Sequence, residues 1–269
     1  MMAVTRRQFD AYARRNATIG ANVKKAIDRI WDQLDKSSME ALVNDLAIYL
    51  PLVADKFGKV AAVAAAEFYD ASRKASKARG SYTATTATGA LWKVNRDVTY
   101  AVGEDFAGDV KAFLTQSVQG VVRDYGRETI RENSRQDRWA SGYNSVPTSG
   151  NPCAMCVIKA LGSYRKYDGE FLHEEITQDA WHLNCSCELI PVFEDSPHWV
   201  EGQYDEYYGQ YDKAAKLVRS GDLPEDLQKR IDDAKEQHAK LVADGKSDKK
   251  WSSFNEITIA MRYQNEGMH

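Results

Sequence analysis

The apolar positions of the first 136 residues recur at helical spacing. Over residues 9–34, Tyr12, Val23, Ile27, Ile30 and Leu34 fall on one face, at intervals of three and four late in the run. Ser37 followed by Glu40 is a capping-box pair and predicts the start of the next helix. That helix carries Leu42, Leu46 and Leu50, and Pro51 is expected to kink or split it. Residues 60–69, VAAVAAAEFY, resume it with alanines that permit close helix packing. The stretch 80–89, GSYTATTATG, reads as a loop or hinge. A third helical region follows. Asp105 is expected to cap it, Phe106, Val110, Phe113, Val118, Val121 and Tyr125 supply its buried stripe, and it runs to Arg135.

The pattern then changes. Residues 139–153 are loop-rich, with a short strand expected at Val146, and apolar runs such as CELIPVF suit a small β-containing unit. Residues 222–225, DLPE, open a polar helix with Leu227, Ile231 and Leu241 on one face. In FNEITIAMRY the positions Ile257, Ile259, Met261 and Tyr263 alternate like a strand, but residues 253–256 look like a helix cap, and a helix is expected. The fold class is therefore mainly α. A helical N-terminal region (1–136) precedes a small α+β metal-pinned module (137–195) and a polar helical C-terminal extension (196–269).

Charge restricts the partners. Of 269 residues, 43% are hydrophobic and 28% charged, which suits a globular chain, and the net charge of −3 excludes a general polyanion binder. The longest apolar runs, 46–53 and 60–66, fall far short of the ~20 residues that span a bilayer, so no membrane partner is expected. The N-terminus lacks the apolar core of a secretory signal, so synthesis in the cytosol is expected. Positive charge is local. Residues 1–30 carry seven Lys or Arg against two Asp, an arm that could meet packaged DNA. Arg123, Arg127, Arg131 and Arg135 form a ladder every four residues, a candidate partner strip. Asp124, Glu128 and Glu132 each precede one of them by three, so ion pairs along the helix explain much of it. Tyr204, Tyr207, Tyr208 and Tyr211 make one helical face of tyrosine, which serves either a core or a protein interface.

Four cysteines lie within 35 residues, and the remainder of the chain has none. Cys153 and Cys156 form a C-x-x-C turn, which brings two thiolates close enough to share a tetrahedral zinc ion; His182, Cys185 and Cys187 follow as H-x-x-C-x-C. Five candidates compete for four places. Cys153, Cys156, His182 and Cys185 are the expected ligands, with Cys187 as the substitute. A full shell has no open position, so the metal would be structural. The P-C-x-x-C of zinc deaminases needs an upstream H-x-E, but the first histidine here is His173, so that chemistry is excluded. From residue 167 to 212 there are twelve acids and no Lys or Arg, which excludes a DNA-binding finger at this place. No nucleophile elbow, phosphate loop or H-E-x-x-H occurs, so no enzyme is expected.

Taken in order, an Ala- and Arg-rich helical half, a helix containing DYGRETI, then VPTSGNPCAMC and WHLNCSCELIPVF resemble the MuF-like minor head proteins of tailed phages, in the form seen in phages of actinobacteria. The resemblance is diffuse over 1–136 and sharp over roughly 120–195. It implies a virion component made in the host cytoplasm, present in few copies at the portal vertex or head interior. The partners it implies are the portal or the major capsid protein, and the role is in head assembly or genome delivery.

Overall fold

A computed structural model describes residues 5–35, 37–103, 106–148, 152–161, 163–167, 170–171, 185, 187–193, 203–245, 247 and 250–266. The chain divides into two compact units. One comprises Met1–Thr148 and Ser163–Val200, the other Ser149–Gly162 and Glu201–His269. The fold is mainly helical with one small antiparallel sheet. Among the described residues no helix is long and apolar enough to cross a membrane.

The first unit holds α1 (Arg6–Gln33), α2 (Met39–Ala75), α3 (Trp92–Ala101), α4 (Val110–Gln136), β1 (Ala140–Val146), β2 (Ser163–Tyr167), β3 (Glu170–Phe171) and β4 (Glu188–Phe193). Thr5 starts α1 with a reciprocal capping box to Gln8. The expected face is buried at Tyr12, Val23 and Ile27, and Phe9 and Ile19 extend it. The cap of α2 is Ser38, one residue beyond the expected Ser37, and its hydroxyl accepts from the Ala41 N–H at 3.1 Å. Pro51 neither splits nor ends this helix. Proline removes the N–H that would meet the Ala47 carbonyl, a cost of ~3 kcal/mol. Burial of Leu46, Leu50 and Val53 on either side offsets it, at ~1.5–3 kcal/mol for each large apolar side chain.

The alanines of α2 do permit close packing. Gly58, Ala61 and Ala65 lie against Tyr125 and Gly126 of α4, where a Cβ on Gly126 would stand 3.6 Å from the Ala61 carbonyl oxygen. Helix α3, which the periodicity did not separate from α4, buries Val94, Val98 and Ala101. Asp105 lies outside the described residues. The cap of α4 is Asp109, whose carboxylate accepts from the Ala112 N–H at 2.9 Å. Phe106 precedes the helix, and the buried stripe runs through Leu114, Val118, Val121, Val122, Tyr125 and Ile130.

The loop at 80–89 is a loop, and it is sewn down. Asn133 of α4 accepts from the Tyr82 hydroxyl and the Thr85 N–H, both at 2.8 Å, and donates to the Thr85 carbonyl at 2.7 Å. Thr129 accepts from the Ala87 N–H at 3.0 Å. The strand expected at Val146 is longer, from Ala140 on, and replaces much of the expected irregular stretch. The sheet order is β3-β2-β1-β4, antiparallel throughout, with Val146 opposite Glu188 and Ala140 opposite Phe193. Tyr143, Val146, Leu189, Ile190 and Phe193 join the helices in one core.

The second unit holds α5 (Ala154–Leu161), α6 (Gln203–Ser220), α7 (Glu225–Ala243) and α8 (Ser253–Glu266). Its core joins Val157, Tyr207, Ala214, Ala215, Leu227, Ile231, Ile257, Ala260 and Met261. Helix α7 begins where DLPE placed it, but Leu241 is exposed instead of sharing the buried face of Leu227 and Ile231. The ambiguous C-terminal stretch is helical: Ile257, Ala260 and Met261, at i, i+3 and i+4, turn inward together.

Candidate functional site

In the second unit the C-x-x-C turn starts α5. The Cys153 carbonyl accepts from the Val157 N–H at 3.0 Å, the first bond of the helix. The Cys153 sulfur accepts from the Cys156 N–H at 3.4 Å, as a capping side chain does. The two sulfurs lie 3.4 Å apart, with Cys156 buried and Cys153 half-buried. Zinc–sulfur bonds of ~2.3 Å in a tetrahedron set sulfurs ~3.8 Å apart. The pair therefore has the spacing of two ligands of one ion.

In the first unit Cys185 and Cys187 stand immediately before β4, and both are buried. Their sulfurs lie within 4.8 Å of one another. Cys185, an expected ligand, and Cys187, its expected substitute, thus stand side by side. His182 lies outside the described residues.

What fixes this segment is α4. Arg127 is only 3% exposed. Its Nε donates to the Cys187 carbonyl at 3.1 Å, and its Nη2 donates to the carbonyls of Cys187 at 2.8 Å and Cys185 at 3.1 Å. Arg123, half-buried one turn earlier, donates to the same Cys185 carbonyl at 3.0 Å. The remaining arm of Arg127 meets Asp124 at 3.1 Å, and Asp124 also takes the Lys93 ammonium at 3.2 Å. Burial works against the Arg127 charge, yet Asp124 first, then Cys185, Glu188 and Cys187, outweigh it and hold its pKa above the ordinary value. Burial pushes the Glu188 carboxyl up to about 7, against the opposite pull of Arg127 and Arg123. A planar fork that grips two carbonyls two residues apart sets the backbone of the C-x-C segment and thereby the directions of both thiols.

The ladder expected as a partner strip is thus largely engaged within its own unit. Arg123 and Arg127 hold the cysteine segment, Arg131 pairs with Glu128, and Arg135 pairs with Glu132 at 3.1 Å. The i, i+3 acids named from the sequence are the partners found. The tyrosine face is divided: Tyr207 is in the core of the second unit, Tyr211 is half-buried against it and Tyr208 is half-exposed. The Tyr204 side chain lies outside the described residues. Sequence reasoning missed the role of Arg127 and the burial of Glu188. The available signal was Glu188 itself, the one charge inside CELIPVF.

No curated protein and no solved structure matches the chain. The sequence profile of the VG15 protein family matches residues 3–214, which cover all of the elements from α1 to β4 and most of α6. The chain belongs to the VG15 protein family, a family of viral or phage proteins.

Proposed function

We propose that the protein is a structural minor head component of a tailed phage, held at the portal or the capsid, and that its cysteines bind one structural zinc ion. Membership of a viral or phage protein family and the MuF-like order of the P-C-x-x-C and H-x-x-C-x-C motifs support the head assignment. The observation that carries the metal is the thiol geometry in each unit. Cys153 and Cys156 have chelating spacing, and Cys185 and Cys187 converge under a buried arginine fork. Zinc supplies rigidity here, because a shell filled by protein ligands leaves no position for substrate. The protein acts as a scaffold and not as an enzyme. Contact with packaged DNA through residues 1–30 has weaker support, since Arg6, Arg15 and Lys24 are already paired with Asp10, Glu67 and Asp28.

The head assignment is tested on purified, DNA-filled particles by mass spectrometry after chemical cross-linking. The chain is expected in the particle at low copy number, cross-linked to portal or major capsid protein. Recovery of the chain only from the host lysate, and never from particles, would refute the assignment.

A further inference from the structure

Helices α1 and α2 leave an open groove of about 490 Å³ on the first unit. Its floor and walls are apolar, with Phe57 half-buried, Tyr49 exposed and Leu52 62% exposed. Its polar rim is cationic: Lys25 and Arg29 on α1, Lys56 on α2. No carboxylate lines it. Among the described residues none of these three cations makes an ion pair, whereas Arg6, Arg15, Lys24, Lys59 and Arg73 of the same two helices do.

The apolar surface continues along α2. Ile48, Tyr49, Leu52, Val60 and Val63 are all exposed. At ~100° per residue they fall within an arc of ~120° on one side of the helix, over a length of ~24 Å. Lys56 and Lys59 lie on the same arc. A contiguous apolar surface of this kind with a charged rim marks an interaction site, whereas single exposed apolar residues do not.

The geometry points to an acidic amphipathic helix of a partner protein as the occupant. The groove is bounded by two helices whose lining residues recur every three or four positions: Asn22, Lys25 and Arg29 on one side, Tyr49, Leu52 and Lys56 on the other. A third helix presenting apolar side chains at i, i+3/i+4 and i+7 matches that repeat. Carboxylates flanking its apolar stripe would meet three cations that make no ion pair among the described residues, which gives specificity and a salt-dependent association rate. This inference deepens the reading of a head scaffold by naming the chemistry of one partner, but it does not depend on the metal.

The test uses the full-length protein and fluorescein-labelled helical peptides of about 16 residues, read by anisotropy. One peptide has leucines at i, i+4 and i+7 with glutamates flanking them, a second has lysines in place of the glutamates, and a third is the acidic composition scrambled. The acidic amphipathic peptide is expected to bind at least about tenfold more tightly than either control. Leu52→Asp should weaken it by about tenfold, and Lys25→Glu with Arg29→Glu and Lys56→Glu should shift the preference to the lysine peptide. All four positions are exposed, and unchanged circular dichroism and melting confirm that the variants fold. Equal binding of the three peptides, or insensitivity to Leu52→Asp, would overturn the proposal. Tighter binding of a random-sequence DNA duplex would overturn it in favour of nucleic acid. Self-association abolished by Leu52→Asp would overturn it in favour of a second copy of this chain.

Discussion

Tyr125 is enclosed by glycine on two sides. A Cβ on Gly58 would stand 2.5 Å from its ring, and one on Gly89 would come closer still. Gly58→Ala adds helix propensity of ~1 kcal/mol but forces a fully buried ring to move, at ~1–3 kcal/mol. We expect Gly58→Ala and Gly89→Ala to destabilise the protein in urea unfolding. Gly120→Ala on α4, where a Cβ meets nothing within 4 Å, should stabilise it by ~0.5–1 kcal/mol. The same sign at all three sites would contradict the packing described. Arg127 is the other residue on which a local structure turns. Arg127→Met takes a buried donor from the Cys187 and Cys185 carbonyls and from Asp124, although Arg123 still reaches the Cys185 carbonyl and Lys93 still reaches Asp124, and should cost ~3–5 kcal/mol. Arg127→Lys keeps the charge but cannot fork, so it should fall between the two. Urea midpoints of the three proteins check the order.

At the scale of elements, α4 organises the first unit through polar side chains on its buried face. Asn133 is fully buried and makes three of the bonds that hold the 80–89 loop. Asn133→Ala should release that loop, and trypsin should then cut after Arg79 faster than in the parent protein. Unchanged cleavage would show that the loop is held elsewhere. The helices of this unit were largely legible because their apolar residues recur at 3.6-residue spacing. Their ends were less so: serines stand side by side at 37 and 38, and local sequence does not say which adopts the extended backbone of a cap. Pro51 looked like a break because the sequence does not show the burial on both sides that outweighs it. Helix α3 was hidden by Asn95, Asp97 and Thr99, residues of low helix propensity, and tertiary burial of Val94 and Val98 settles its state. The cysteine motif was visible as spacing. Its support by Arg127 was not, since a donor sixty residues away in the chain carries no local signal.

For the whole molecule, the motif spacing in the sequence carries the proposal that thiols from the two ends of the cysteine region serve one ion. Each unit has a hydrophobic core of its own, so loss of the metal need not unfold either one. It should lower the thermal midpoint and expose the thiols to alkylation, because bound thiolates are shielded. Treatment of the reduced protein with a strong chelator, followed by thiol counting with a chromogenic disulfide, should raise the number of rapidly reacting cysteines. The most direct measurement is the metal content of the full-length protein purified under reducing conditions. We expect one zinc per chain. Paired replacement of Cys153 and Cys156 with serine should abolish it, and so should paired replacement of Cys185 and Cys187. A parent protein without metal, or metal retained in both paired variants, would contradict the claim.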